Sequence, residues 1–240
     1  QDRVLLGFGG VSEYGITVRW DKNFLNVVYT TLARRPNFKV YGVVRFGGTL
    51  DVDDAWALGF HHVAIAAGAG KPTLIDMPNG LAKGIRQASD FLMALQLSGA
   101  YKRSSLANLN VRLPGLVIGG GLTGIDTATE MRAYYVVQCE KMLARHEAVC
   151  GATSEAAVLA KFDAEEREVL EEALAHGRAI RDERVNAERE GRAPDFNALI
   201  DSWGGVTLAY RRGLTESPAY RLNHEEVEKF LEEGVRFVER

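Results

Sequence analysis

Apolar positions recur along the chain with two periods, and they cut it into segments of different type. Lys39 to Val44 (KVYGVV) alternates and is β-branched, which predicts a strand. Leu50 to Leu58 has the spacing of a short amphipathic helix, with Asp51 placed to cap its start. His62 to Ala67 (HVAIAA) reads as a short apolar strand running into the glycine-rich exit Gly68-Ala69-Gly70-Lys71-Pro72. Ala88 to Gln96 is predicted helical, with Phe91, Leu92 and Leu95 as its apolar positions. Asn108 to Pro114 has the look of a linker, and Leu116–Ile118 opens a new unit as an apolar strand.

From Arg132 to Ser202 the character changes. The segment is rich in Ala, Glu and Arg, and Leu170, Leu174 and Ile180 keep a rough helical spacing among charges. Two or three helices forming a hairpin-like insertion are expected there, punctuated by Gly151 and by Gly191-Arg192-Ala193-Pro194. Beyond it, Val206–Arg211 predicts a strand and Asn223–Glu233 a helix with early glutamates and a stop at Gly234. Val235–Glu239 begins a further strand.

Composition narrows the function classes. The net charge of −3 supplies no basic field for nucleic acid or an anionic membrane. No run approaches the roughly 20 apolar residues of a membrane span, so a cytoplasmic location is expected. The two cysteines, Cys139 and Cys150, form no CxxC pair, and four thiolates for an iron–sulfur cluster are not present in this chain. Two free thiols in a reducing compartment are the simpler reading. His61 and His62 lack a third imidazole or carboxylate at ligand spacing, and His224 sits at a helix start, so no metal site is expected.

The segment LVIGGGLTGIDTATE carries the chemistry. Gly119, Gly121 and Gly124 fit G-x-G-x-x-G between an apolar strand and a helix. In that setting the first glycine permits a tight turn and the second lets backbone approach a pyrophosphate. The third lets helix and strand pack closely. Phosphates then lie at the helix N-terminus, where free N–H groups and the helix dipole favour anions. The following strand ends in Arg211-Arg212 instead of an acid, and paired guanidinium groups suit the 2′-phosphate of NADP. Asp126 has a structural and a functional reading, both open, and the charged insertion is either a solvated arm or a docking surface.

Several motifs in this order resemble the small (beta) subunit of NADPH-dependent glutamate synthase and the electron-input module of dihydropyrimidine dehydrogenase. They are GG-x-x-x-YGI at Gly9–Ile16, AAGAGKP at Ala66–Pro72, the DFL of Asp90–Leu92, LVIGGGLTGIDTA, VTLAYRR, and SPAY with NHEEVEKFLEEGVRF. The likeness covers about residues 9–131 and 205–239. It implies an α/β protein in which a Rossmann-like NAD(P)-binding domain, residues 113–240 with a helical insertion at about 132–204, joins part of an FAD-binding domain, residues 1–112. It implies that hydride passes from NADPH to FAD and electrons onward to iron–sulfur clusters in further domains or a partner subunit. Gly9, Gly10, Tyr14, Gly15 and Ile16 would lie along the flavin, with Ala67 and Gly68 approaching it from the other side. Gly119, Gly121, Thr123 and Gly124 would hold the NADPH pyrophosphate, and Arg211 and Arg212 its 2′-phosphate.

The departures are equally specific. The family's first G-x-G-x-x-G, for the ADP half of FAD, would precede Gly9, its last flavin segment would follow Arg240, and its cysteine-rich domain is not in this sequence. The chain therefore reads as an internal fragment of a longer flavoprotein. Thr17 stands where a proline is usual after YGI, and the insertion is atypical. The alternative is a non-catalytic nucleotide-binding or assembly subunit that does not hold FAD by itself. Hydride transfer is cofactor chemistry, so no catalytic acid or base is expected.

Overall fold

The computed structural model of the chain describes residues 24–66 and 74–239. Residues 82–239 form one compact unit and residues 24–81 a second. The second unit contains helices α1 (Phe24–Ala33) and α2 (Val52–Ala57). α2 starts as its sequence predicts. Asp51 accepts a hydrogen bond from the Asp54 N–H at 2.9 Å, and Asp54 returns one to the Asp51 N–H at 3.0 Å. Ala55 is its buried position.

Two expected strands are not formed. Lys39–Val44 is irregular, and Val43 has a φ of 61°, in the left-handed region and outside extended backbone. Residues 62–66 are likewise without strand pairing, and Ala67 lies outside the described residues. Among the described residues of this unit, Phe46 and Leu50 form a single isolated bridge. Strand propensity without a partner strand does not fix a strand.

The larger unit is mixed α/β. It begins with α3 (Ala88–Leu97), followed by strand β1 (Gly115–Ile118) and helix α4 (Leu122–Ala152). Helices α5 (Glu155–Leu159), α6 (Ala164–Glu190) and α7 (Phe196–Ser202) lead to strand β2 (Val206–Tyr210). A 3₁₀ turn (Leu214–Glu216), helices α8 (Pro218–Leu222) and α9 (His224–Glu232), and strand β3 (Arg236–Glu239) complete it. The three strands make a parallel sheet in the order β1-β2-β3. Val117, Leu208 and Phe237 share one row of the register and point to the same face, where Ile125, Ala128, Val227 and Phe230 cover them. Burying each such side chain stabilises by about 1.5–3 kcal/mol. Among the described residues the opposite face is open: Leu116, Ile118 and Val238 are all exposed.

α4 is one helix of 31 residues, about 46 Å long. Its first turns pack on the sheet, and its remainder enters a second core with Phe91, Leu92, Leu95, Ala173, Ile180 and Ile200. α6 runs back along it so closely that a Cβ on Gly177 would lie 2.7 Å from the Cys139 carbonyl oxygen. Ion pairs Arg181–Glu147 and Arg184–Glu140 flank that contact. The helical hairpin expected in the insertion is thus present, but its first arm is the helix that begins at the glycine turn.

A polar stripe on α4 holds the segment after α3. Tyr134 Oη accepts from the Leu109 N–H at 3.1 Å. Gln138 accepts from the Val111 N–H at 2.9 Å and donates to its carbonyl at 2.8 Å. Lys141 Nζ donates to the carbonyls of Ala100 and Ala107 at 2.7 and 3.2 Å, and Arg145 donates to that of Ser105 at 2.5 Å. Spacings of four, three and four residues put these side chains on one helical stripe. They satisfy backbone groups that no strand partner reaches. Burial lowers the Lys141 pKa below the ordinary lysine range.

Candidate functional site

The β1–α4 connection and the end of β2 meet at one edge of the sheet. In the parallel register Ile118 lies beside Ala209, and the Gly119 N–H donates to the Ala209 carbonyl at 3.0 Å. Gly119 has a φ of 131°, a conformation that L side chains rarely adopt, so the strand turns there on glycine. Gly121 is the N-cap of α4 and supplies no side chain to the helix start. A Cβ at Gly121 would meet nothing within 4 Å, whereas one at Gly124 would lie 2.4 Å from the Gly119 carbonyl oxygen. The two glycines therefore do different things: Gly121 leaves backbone open to approach, and Gly124 brings helix and turn together.

The helix start also leaves donors available. The N–H groups of Leu122 and Thr123 have no intrahelical acceptor by position, and no side chain among the described residues caps them. Gly124 and Ile125 donate back to the Gly121 carbonyl at 2.9 and 3.2 Å. With the helix dipole behind them, the open N–H groups make this end of α4 suited to an anion.

Arg211 and Arg212 directly follow β2 at the same edge and are exposed. Among the described residues neither has an ion pair. The structure thus brings together Gly119, Gly121, Thr123 and Gly124 with the strand end that carries both arginines. Gly9, Gly10, Tyr14, Gly15, Ile16, Ala67 and Gly68, assigned to a flavin by resemblance, lie outside the described residues.

Two contributors were not singled out from the sequence. The Tyr210 ring lies flat against Gly120, where a Cβ would come within 2.7–2.8 Å of three ring carbons. The Ala219 N–H donates to the Gly120 carbonyl at 3.1 Å, so the start of α8 braces the turn from the other side. The Ser217-Pro218 pair is the available signal for the second. Ser217 accepts from the Tyr220 N–H at 3.2 Å as N-cap, with proline in the first helical turn. Asp126 is buried on α4, past the uncapped start.

Buried groups with displaced pKa values lie elsewhere. Where α4, α6 and α7 meet, Tyr135 Oη and His176 Nδ1 are 2.6 Å apart, and His176 stacks on Trp203 at 3.9 Å. Burial raises the Tyr135 phenol above its ordinary range, pushes the Cys139 thiol up to about 12 and lowers the His176 imidazole. Desolvation is the leading cause in each case, which marks a helix-packing node. His61, His62 and His224 are exposed. Among the described residues no group of three or more His, Cys, Asp or Glu is arranged to hold a metal ion. None of their helices is long and apolar enough to cross a membrane.

No family model matches the chain. It is 42% identical over 238 residues to an uncharacterized protein of Rickettsia prowazekii (strain Madrid E). The match takes in 99% of this chain and 31% of that protein, so the chain spans about a third of the relative's length.

Proposed function

We propose that the β1–α4 turn binds the pyrophosphate of NADPH, with Arg211 and Arg212 receiving its 2′-phosphate. The observation that carries this reading is the pairing of the open, uncapped helix start at Gly121 with the exposed arginines after β2, at one edge of a parallel sheet. The parallel order β1-β2-β3 with helical connections supports the reading, because in a Rossmann fold ligands sit at the carboxyl ends of the strands. In this reading Gly119 and Gly124 shape the turn and Gly121 admits the phosphates. The N–H groups of Leu122 and Thr123 bind phosphate oxygens, and the guanidinium groups neutralise the ribose phosphate.

The wider function proposed is that of a flavin-dependent oxidoreductase of the glutamate synthase small-subunit type. There the reaction is supplied by the cofactors, with hydride passing from NADPH to FAD and electrons onward to an iron–sulfur centre. The support for the FAD part is the sequence resemblance of Gly9–Ile16 and Ala66–Pro72. The role of the chain's own described residues is to bind and orient the nicotinamide nucleotide.

The test is a titration of NADPH and NADH against the wild-type chain and its Arg211→Ala and Arg212→Ala variants. Each substitution is expected to weaken NADPH about tenfold or more, the worth of a charge-assisted hydrogen bond. NADH should change by less than about twofold, because it lacks the 2′-phosphate. Equal losses for both nucleotides would overturn the assignment of the arginines.

A further inference from the structure

A nucleophile, a proton acceptor and a carboxylate meet at the far end of α4. Cys150 Sγ lies 3.5 Å from His146 Nε2, one helical turn earlier, and the same nitrogen lies 3.5 Å from Glu155 Oε1 at the start of α5. The His146 side chain is 7% exposed, so packing fixes the ring, while Cys150 is only partly buried and can be reached. The second cysteine differs in every respect. Cys139 is fully buried against α6, and burial pushes its thiol up to about 12.

We propose that Cys150 is a covalent modification site for low-molecular-weight disulfides, with His146 as the acceptor of its proton. As the Cys150 S–H bond breaks, the proton passes to His146 Nε2, between the sulfur and the Glu155 carboxylate. The thiolate attacks one sulfur of the disulfide, the S–S bond breaks, and a Cys150 mixed disulfide forms. The departing thiolate takes up a proton and leaves as a thiol. Cys150 is oxidised, and half of the reagent is reduced. Glu155, 3.5 Å from the same nitrogen, stabilises the imidazolium by its charge while the proton rests there.

The experiment treats the chain with dithiodipyridine at neutral pH and follows release of the thiopyridone, with peptide mass spectrometry assigning the site. Cys150 is expected to be modified while Cys139 stays free until the chain is unfolded. His146→Gln should slow Cys150 modification about tenfold or more, the scale of a lost general base. Modification of Cys139 as fast as Cys150 overturns the proposal. So does a His146→Gln chain that is folded by circular dichroism and reacts at the wild-type rate. If that variant does not fold, Glu155→Gln decides, since its side chain is 64% exposed. A rate lowered about twofold supports the proposal, and an unchanged rate overturns it.

Discussion

A methyl group added to Gly124 would sit 2.4 Å from the carbonyl oxygen of Gly119. Backbone contacts that short do not occur, so Gly124→Ala forces helix α4 away from the turn it begins in. The expected loss is about 1–3 kcal/mol, the usual cost of overpacking. A domain of this size should then melt several degrees lower, at about 2–4 °C per kcal/mol. Gly121→Ala is its counterpart, because nothing lies within 4 Å of the added atom. It should leave the melting temperature nearly unchanged and weaken NADPH binding, and differential scanning calorimetry with nucleotide titration checks both.

Gly177→Ala and Gly151→Ala should move stability in opposite directions. Both lie in helices, where alanine gains about 1 kcal/mol over glycine. At Gly151 there is open space, so that gain should appear in urea unfolding. At Gly177 the new atom meets the Cys139 carbonyl oxygen at 2.7 Å and Leu143 Cβ at 3.0 Å. A backbone oxygen in a packed helix pair cannot yield, so a net loss of about 1–2 kcal/mol is expected.

Arg132 ties the helical insertion to the sheet. Its guanidinium is buried and donates to Asp201 at 2.7 Å and to Asn197 at 3.0 Å, both on α7. It also lies under Gly205 and Gly234, the positive-φ residues that precede β2 and β3. Arg132→Met keeps most of the volume and removes both hydrogen bonds. The predicted loss is about 2–4 kcal/mol, at the lower side of a broken buried pair because Asp201 is half exposed. A double-mutant cycle with Asp201→Asn should show coupling between the two sites, and additive effects would contradict it.

His176 makes stability depend on pH. Burial lowers its pKa in the folded chain, so unfolding lets it take up a proton more readily. Its contribution is therefore fully present above the ordinary histidine value of about 6.5 and is lost as pH falls through the lowered one. Tyr135, whose phenol burial keeps protonated, shares a 2.6 Å hydrogen bond with Nδ1 of that ring. Urea midpoints measured on either side of that window should differ less in His176→Gln than in the wild type. An unchanged pH dependence in the variant would rule out His176 as its source.

Much of this was legible in the sequence wherever a local signal sufficed. The Asp51 cap, the helix at Ala88–Leu97 and the three strands of the parallel sheet each lie within a residue or two of their apolar patterns. Lys39–Val44 finds no partner strand among the described residues, and strand propensity acts through pairing. The run of α4 from Leu122 through Ala152 was underestimated for the opposite reason. No breaker separates the glycine turn from the insertion, so one helix forms where two units were expected. The glycine turn itself was readable, but the approach of Arg211 and Arg212 to it depended on the β1–β2 register. Tyr210 on Gly120 and the clamp of Gln138 on Val111 are contacts between distant residues, and no local pattern announces them.

The length of α4 makes it a lever. Its fulcrum is the glycine turn, where a phosphate would press against the first N–H groups, and its tip carries His146 and Cys150. A tilt of about 5° at the turn would swing the tip through about 4 Å in a rod of this length. Because α6 is locked to the same rod at Gly177, the two helices would swing together. A nucleotide bound at the turn, as proposed, would then be felt at a thiol about 40 Å along the helix without any change in the backbone between them.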